Sequence, residues 1–302
     1  MTGRFLRAGA CPVCRGLDIR PWKKGTFDFS GLRSDQIKIT DSEYGKTWDL
    51  QACGACGHIF ADPYPAPDFL ASLYGEVEDP LYDQEAEGRT RNFLPILNRL
   101  DLFRPGRGAL FDVGAATGIL GDAARRRGWR VDGVEPSAWA VRKAAEKYGL
   151  TLRRGGFEDI AAAGDSFQAV TMVDFIEHTP RPAEAVAMAF SLLAPGGVLC
   201  LVTPDIHSPA ARLAGRRWWH LRPGHLAYFS KRSLRVLLEG AGFRIVEIRR
   251  YAWTFSLHYL VSRFRWMDSF ARSRASSFLR KIPIKLALGD SFEIYAVKDP
   301  FS

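Results

Sequence analysis

Cysteine is scarce in this chain, five in 302 residues, and four of the five sit in two short pairs. Long apolar runs are missing as well. None approaches the ~20 residues that span a bilayer, which excludes an integral helical membrane protein as the expectation. The N-terminus carries basic residues but no apolar stretch before Cys11, so no signal peptide is expected and a cytosolic setting is. Acid is lacking in one place only. From Arg249 to Lys285 nine Arg or Lys face a single acid, Asp268, so that almost all of the chain's net +9 is local to this segment. A spread-out basic groove for nucleic acid is therefore not the reading. The remaining balance, 47% apolar and 25% charged, is ordinary for a globular protein long enough for one large core and a small extra module.

The paired cysteines are Cys11-Pro-Val-Cys14 and Cys53-Gly-Ala-Cys56. A two-residue spacer lets both thiolates of a pair turn towards one ion, and two such knuckles complete a tetrahedral structural zinc site. The alternatives are weaker, because a cytosolic chain keeps thiols reduced and neither pair opens a redox helix. His58 has two readings, a replacement ligand or a surface histidine. Short β-favouring pieces between Thr26 and Thr47 suit a zinc ribbon of about 60 residues, a size that rarely holds together without a metal or disulfide.

Asp62-Pro-Tyr-Pro-Ala-Pro67 breaks regular structure three times and reads as a boundary. The division is then 1–62, a linker and helical lid at 63–105, and a main domain at 106–302 with a basic insertion at 251–288. Asp68 is placed to cap a helix at 69–74, and a second helix is expected from about Glu85 to Leu102. From Arg107 the pattern alternates: strands at 109–113, 130–134, 150–154, 167–173 and 197–203, with helices at 118–128, 137–148 and 181–193 between them. That spacing argues an α/β, doubly wound, mostly parallel sheet. Its first loop reads Asp112-Val-Gly114-Ala-Ala-Thr-Gly118, a Gly-x-x-x-Gly spacing and not the Gly-x-Gly-x-x-Gly of dinucleotide sites. A carboxylate at the strand's end repels a pyrophosphate but suits a nucleoside that brings an ammonium group, such as S-adenosylmethionine. Glu135, ending the second strand, is placed to accept from the two hydroxyls of a ribose. The glycines also have a bland reading, which is helix–strand packing.

Leu110-Phe-Asp-Val-Gly-Ala-Ala-Thr-Gly118, Gly133-Val-Glu-Pro-Ser137, Asp174-Phe-Ile-Glu-His178 and Leu193-Ala-Pro-Gly-Gly197 together resemble the successive motifs of class I S-adenosylmethionine-dependent methyltransferases. The resemblance runs from about Tyr82 to Arg250. It implies a seven-stranded Rossmann-like sheet. Gly114, Ala115 and Gly118 would lie against the cofactor, Asp112 at its methionine end, Glu135 and Pro136 at the ribose, Phe157 and Glu158 beside the adenine, and Asp174 in the pocket wall. Tyr82 and Arg89 match a segment that closes over the cofactor in such enzymes. Arg89 would pair with its carboxylate, against the alternative of a solvated arginine. With the paired cysteines in front, the chain is similar to the zinc-binding deoxysugar C-methyltransferases and related enzymes of polysaccharide and natural-product pathways. It departs from them at Gly224-His225, where a Glu-His pair is typical.

Transfer to a hydroxyl needs a proton acceptor, and histidine is the natural one near neutral pH. His225 is the first candidate, followed by His178 and His220, each with a structural alternative. Trp218 and Trp219 are read as packing or as a stacking surface, and Cys200 as core. The basic stretch, rich in Trp and Phe, is read as contact with anionic lipid or a lipid- or diphosphate-anchored acceptor, or as a helical flap with a solvated face. A final strand is expected at 291–297 after a Gly289-Asp290 turn. The function that follows is O-methylation of a sugar, glycan or other small acceptor. C-methylation of a nucleotide-linked keto-sugar, a non-catalytic cofactor-binding scaffold and RNA modification compete with it. Nucleic acid ranks below a small acceptor, because 1–62 is not strongly basic.

Overall fold

The structure, a computed structural model, describes residues 3–160, 166–263 and 274–299. The N-terminal part carries β1 (Phe5–Leu6), β2 (Ile19–Lys23), β3 (Leu50–Cys53), β4 (Ile59–Ala61) and β5 (Tyr64–Pro65), then α1 (Pro67–Gly75), α2 (Pro80–Gln84) and α3 (Ala86–Phe103). The alternating part follows as β6 (Ala109–Val113), α4 (Ile119–Arg125), β7 (Arg130–Glu135), α5 (Ala138–Tyr148), β8 (Arg153–Arg154), β9 (Phe167–Val173), α6 (Pro182–Leu192) and β10 (Leu193–Pro204). It closes with α7 (Pro209–Ala214), β11 (Ala227–Tyr228), α8 (Lys231–Gly240), β12 (Phe243–Ser256), α9 (Leu257–Val261) and β13 (Pro283–Lys298).

Seven strands make the central sheet, in the order β12-β13-β10-β9-β6-β7-β8. β8, β7, β6, β9 and β10 are parallel, and β13 is antiparallel to both its neighbours. All five residues of β6 are buried, as a central strand covered on both faces requires. Its side chains alternate between two cores. Leu110 joins Ile96, Leu97, Leu100 and Ile119 on the α3–α4 side, whereas Phe111 and Val113 join Val186, Ala189, Leu234 and Leu237 on the α6–α8 side. Cys200, mid-strand in β10, is fully buried core. α5 is fixed at both ends: Ser137 accepts from the Ala140 N–H, and Gly149 closes the helix in the left-handed region.

A separate four-stranded sheet has the order β11-β4-β3-β2. Its edge strand β11 comes from a residue span more than 160 positions beyond the others, and Ala227 and Tyr228 pair with Phe60 and Ile59. Cys11, Cys53, Cys56 and Phe60 share one buried cluster with Ala227, Phe229 and Leu234.

Several expectations need correction. The proline-rich run after Asp62 is not irregular throughout, since Tyr64–Pro65 pairs with Phe5–Leu6. Between Thr26 and Thr47 the chain forms only short 3-10 turns at 29–31 and 34–36, because Asp and Gly turn chemistry overrides the β-branched residues there. Ala66, not Asp68, precedes the first helix, which starts on Pro67. Gly289-Asp290 is no hairpin turn: β13 already starts at Pro283, and the register with β12 shifts between Tyr251 and Trp253. Among the described residues, the basic segment is the outer arms of a long hairpin with α9 and a 3-10 turn at 274–281, and not the expected helical flap. Arg265, Arg272, Phe264, Trp266 and Phe270 lie outside the described residues. Among the described residues no helix is long and apolar enough to cross a membrane.

Candidate functional site

Strand order reverses between β6 and β9, and the crevice at their carboxyl ends is where open α/β sheets bind ligands. Asp112 and Glu135 both stand there, buried. The Thr171 hydroxyl donates to Asp112 Oδ1 at 2.6 Å. The backbone N–H groups of Ala116 and Ser137 donate to the two oxygens of Glu135 at 2.8 and 2.9 Å, tying the β6 loop to the end of β7. Burial pushes each carboxyl up to about 7, and the charge of Glu135 adds to the effect on Asp112. Neither takes part in an ion pair among the described residues. A cationic ligand is what would draw both back into the ionised state.

The loop between them has Gly114 at φ 73°, Ala116 at 47° and Gly118 at 78°. A Cβ on Gly118 would stand 3.0 Å from that of Ala144, so this glycine serves close approach of α5 as well. Ala115 is buried beside it, and Pro136 is half-buried after Glu135. Phe157 is buried edge-on to Phe175, while Glu158 is exposed and bonded to Arg181.

Arg89 is not solvated. Only 5% of it is exposed, its guanidinium lies 3.7 Å from the centre of the buried Tyr82 ring, and its Nε has no partner. Asp174 holds a left-handed backbone at φ 50°, uncommon outside glycine but tolerated by Asp. Burial moves its carboxyl up to about 7, against the pull of Arg89 and Arg222.

Arg89 and Asp174 also line a cavity of about 310 Å³ beyond the ends of β9 and β10. His178, His220 and His225 converge on it. The His178 and His225 ring centres are 4.8 Å apart at 84°, and those of His220 and His225 are 5.8 Å apart and nearly parallel. His178 Nδ1 shares a hydrogen bond with the Tyr74 hydroxyl at 2.9 Å. His220 Nε2 meets Asp290 at 3.2 Å, and Trp219 Nε1 donates to the same carboxylate oxygen at 2.8 Å. His225 differs, for its Nδ1 is buried without a partner among the described residues. Burial, reinforced by His178 and Arg222, holds it well below the usual histidine range and therefore neutral. Burial likewise takes His178 down to about 3. Among the remaining candidates, His207 faces a different cavity and Trp218 is packed as core.

The N-terminal part positions this wall. Gly45 N–H donates to Leu221 O at 2.6 Å, Trp48 Nε1 to Pro223 O at 2.8 Å and Ala61 N–H to Leu226 O at 2.8 Å. Arg222 Nε donates to Asp41 at 2.9 Å. Leu226 N–H in turn donates to Glu177 O at 2.8 Å, joining the two histidine-bearing loops.

Residues 85–248, more than half of the chain, match the family described as "Methyltransferase domain". The chain belongs to the methyltransferase domain family. A ubiquinone biosynthesis O-methyltransferase of Cereibacter sphaeroides is 32% identical over 165 residues, 49% of this chain and 67% of that one. One from Psychrobacter arcticus is 40% identical over 102 residues, 31% of this chain, so the chain spans only 40% of that relative's length. In fold it is similar to the 1,6-didemethyltoxoflavin-N1-methyltransferase of Burkholderia thailandensis, solved with bound S-adenosylhomocysteine. The TM-score is 0.50 at 17% identity, covering 80% of this chain and 96% of that one. The strand order described above is that of the class I S-adenosylmethionine-dependent methyltransferase fold, as the motifs indicated.

This family member carries its cysteines as one cluster. Cys11 and Cys56 sulfurs are 3.6 Å apart, those of Cys14 and Cys53 3.5 Å, and all four lie within 4.8 Å of one another without a disulfide. Zn–S bonds of ~2.3 Å in a tetrahedron put sulfurs about 3.8 Å apart, so the set fits zinc. His58 is neither a surface residue nor a fifth donor in the cluster: it is fully buried against Phe60 and Phe229, and burial lowers its pKa to about 3.

Sequence reasoning missed Glu177, Arg222 and Asp290 on the histidine-lined cavity, and Tyr74, which bonds His178 behind it. Glu177 was within the quoted Asp-x-x-Glu-His motif. Arg222 lies between His220 and His225 and Asp290 was read only as a turn residue, whereas Tyr74 comes from α1, far from the histidines in sequence.

Proposed function

We propose that this protein is an S-adenosylmethionine-dependent O-methyltransferase. Its acceptor is a hydroxyl on a small molecule, in the first instance a sugar or glycan unit, with His225 taking the proton. The observation that supports this reading best is the partnerless, neutral Nδ1 of His225 in a cavity that also contains Asp174 and Arg89. S-adenosylmethionine, when bound, supplies a methyl group activated on a sulfonium. The chain's part is to align and to exclude water, which can lower a barrier by ~7–11 kcal/mol. Asp112 would face the ammonium of its methionine end, Glu135 the ribose and Arg89 the carboxylate. Trp219 and Trp253 offer apolar faces to a sugar ring, whose C–H groups pack on indole. Cys11, Cys14, Cys53 and Cys56 would hold a structural zinc ion.

A second reading of the proton step rests on Glu177, whose Oε1 is also buried without a partner. One donor atom each from Glu177, His178 and His225 lies within 4.8 Å of the others. That set suits a divalent cation that would acidify the acceptor hydroxyl. Chelation before assay separates the two. Turnover lost to chelator and restored by Mg²⁺ or Mn²⁺ favours the cation, and unchanged turnover favours His225 as base.

The overall test uses isotope-labelled methyl donor and product analysis. A labelled O-methyl on the acceptor supports the proposal, and a labelled C-methyl moves it to a keto-sugar acceptor. No binding of S-adenosylmethionine or S-adenosylhomocysteine by calorimetry would defeat every methyltransferase reading, while binding without turnover of any acceptor favours a cofactor-binding scaffold.

A further inference from the structure

A second cavity, about 780 Å³, lies on the far side of the 218–222 segment. Trp218 and Leu221 line it, whereas Trp219, His220 and Arg222 line the acceptor cavity, so one stretch of chain partitions the two. The second cavity has a different chemistry. Lys23, Lys24, Arg212 and Arg216 border it, and among the described residues no carboxylate does. Lys24 pairs with Asp49 at 3.2 Å, but Lys23, Arg212 and Arg216 have no acidic partner among the described residues. Lys23 Nζ is shielded from water and makes no hydrogen bond, and neither does the buried indole N–H of Trp218.

Uncompensated cations around a concavity focus a positive potential into it. Burial and the charge of Arg216 depress the Lys23 pKa, the signature of cations crowded without a counterion. Arginine forks match phosphoryl oxygens in pairs, and three unpaired cations call for more than one negative charge. Trp22, 43% exposed at the rim, offers a face for a flat ring.

We propose that this cavity, bordered by Lys23, Arg212 and Arg216, is a binding site for a diphosphate group, separate from the methyl donor site and from the histidine-lined acceptor cavity. The diphosphate can come free or on a nucleoside, and the Trp22 ring favours the nucleoside form.

The test is calorimetric titration of the full-length protein with pyrophosphate and with a nucleoside diphosphate at constant ionic strength, alongside tryptophan fluorescence. Saturable binding is expected, weakened about tenfold or more in Arg212→Ala and in Arg216→Ala, with S-adenosylmethionine affinity unchanged. Both arginines are exposed, so these variants should keep their fold, and Arg235→Ala on α8 serves as a control that leaves binding intact. Tighter binding of the nucleoside form identifies the carrier. Equal affinity in parent and variants would overturn the proposal. So would displacement by chloride at matched ionic strength, or tighter binding of a short single-stranded RNA with a steep salt dependence.

Discussion

The imidazoles of His178 and His225 meet edge to face, their centres 4.8 Å apart, but only His178 has a hydroxyl partner, Tyr74. The two rings are therefore not equivalent. His178 is oriented, and His225 is left with an open nitrogen. We expect His225→Asn to lower kcat by roughly 10²–10⁴-fold with the methyl-donor Kd unchanged. Tyr74→Phe should lower it less. A pH–rate profile of His225→Asn that overlays the parent would remove this residue from the proton step.

Asp112 should show a conflict between stability and binding. Its folded pKa, about 7, lies above the unfolded value, so its contribution to stability is present below pH 4 and lost as pH rises through 7. Asp112→Asn removes that penalty. The ligand-free variant should be more stable than the parent at pH 8, by roughly 1–3 kcal/mol, with little difference at pH 4. Its affinity for S-adenosylmethionine should fall at least about tenfold, since the neutral amide cannot balance an ammonium. Thermal melts at the two pH values and one titration check both halves.

Metal removal should act on the acceptor side first. One zinc per chain is expected by elemental analysis, and Cys11→Ser should lose it. Because Ala61, Trp48 and Gly45 anchor 221–226, loss of the ion should abolish turnover while methyl-donor binding at β6 and β7 persists. Loss of both together would contradict this.

Trp253 reaches the acceptor cavity from the extended hairpin, its Nε1 donating to Ser291 Oγ at 3.2 Å. Trp253→Ala should raise acceptor KM about tenfold and leave methyl-donor affinity alone, the loss expected for one aromatic contact. Trp253→Phe should recover part of it.

The donor half was legible in the sequence because it is local. Strand, loop and acid within 109–118, and a second acid at 135, are set by a fully buried apolar strand and by backbone geometry that only a few residue types allow. The acceptor half was legible only as a list of histidines. His225 and His178 were named, but their convergence depends on β4 pairing with β11 across more than 160 residues, and no local pattern records such a partner. The aromatics at 253–259 were visible, but the helical-flap reading of them missed that 253–256 form a strand arm paired with 283–286. Composition alone cannot tell an alternating strand arm from a helix, because the pairing that makes it a strand lies about 30 residues away in sequence. His58 was misread for a related reason, since the surface that buries it belongs to Phe229.

The pairing of β4 with β11 gives the cysteine module an unexpected role. His225 stands two residues before that shared edge, so the module acts as a stiffening plate for the loop that carries it. Exchanging residues 3–61 between related chains should then change which acceptors are methylated, even though none of the four cysteines lies on the acceptor cavity.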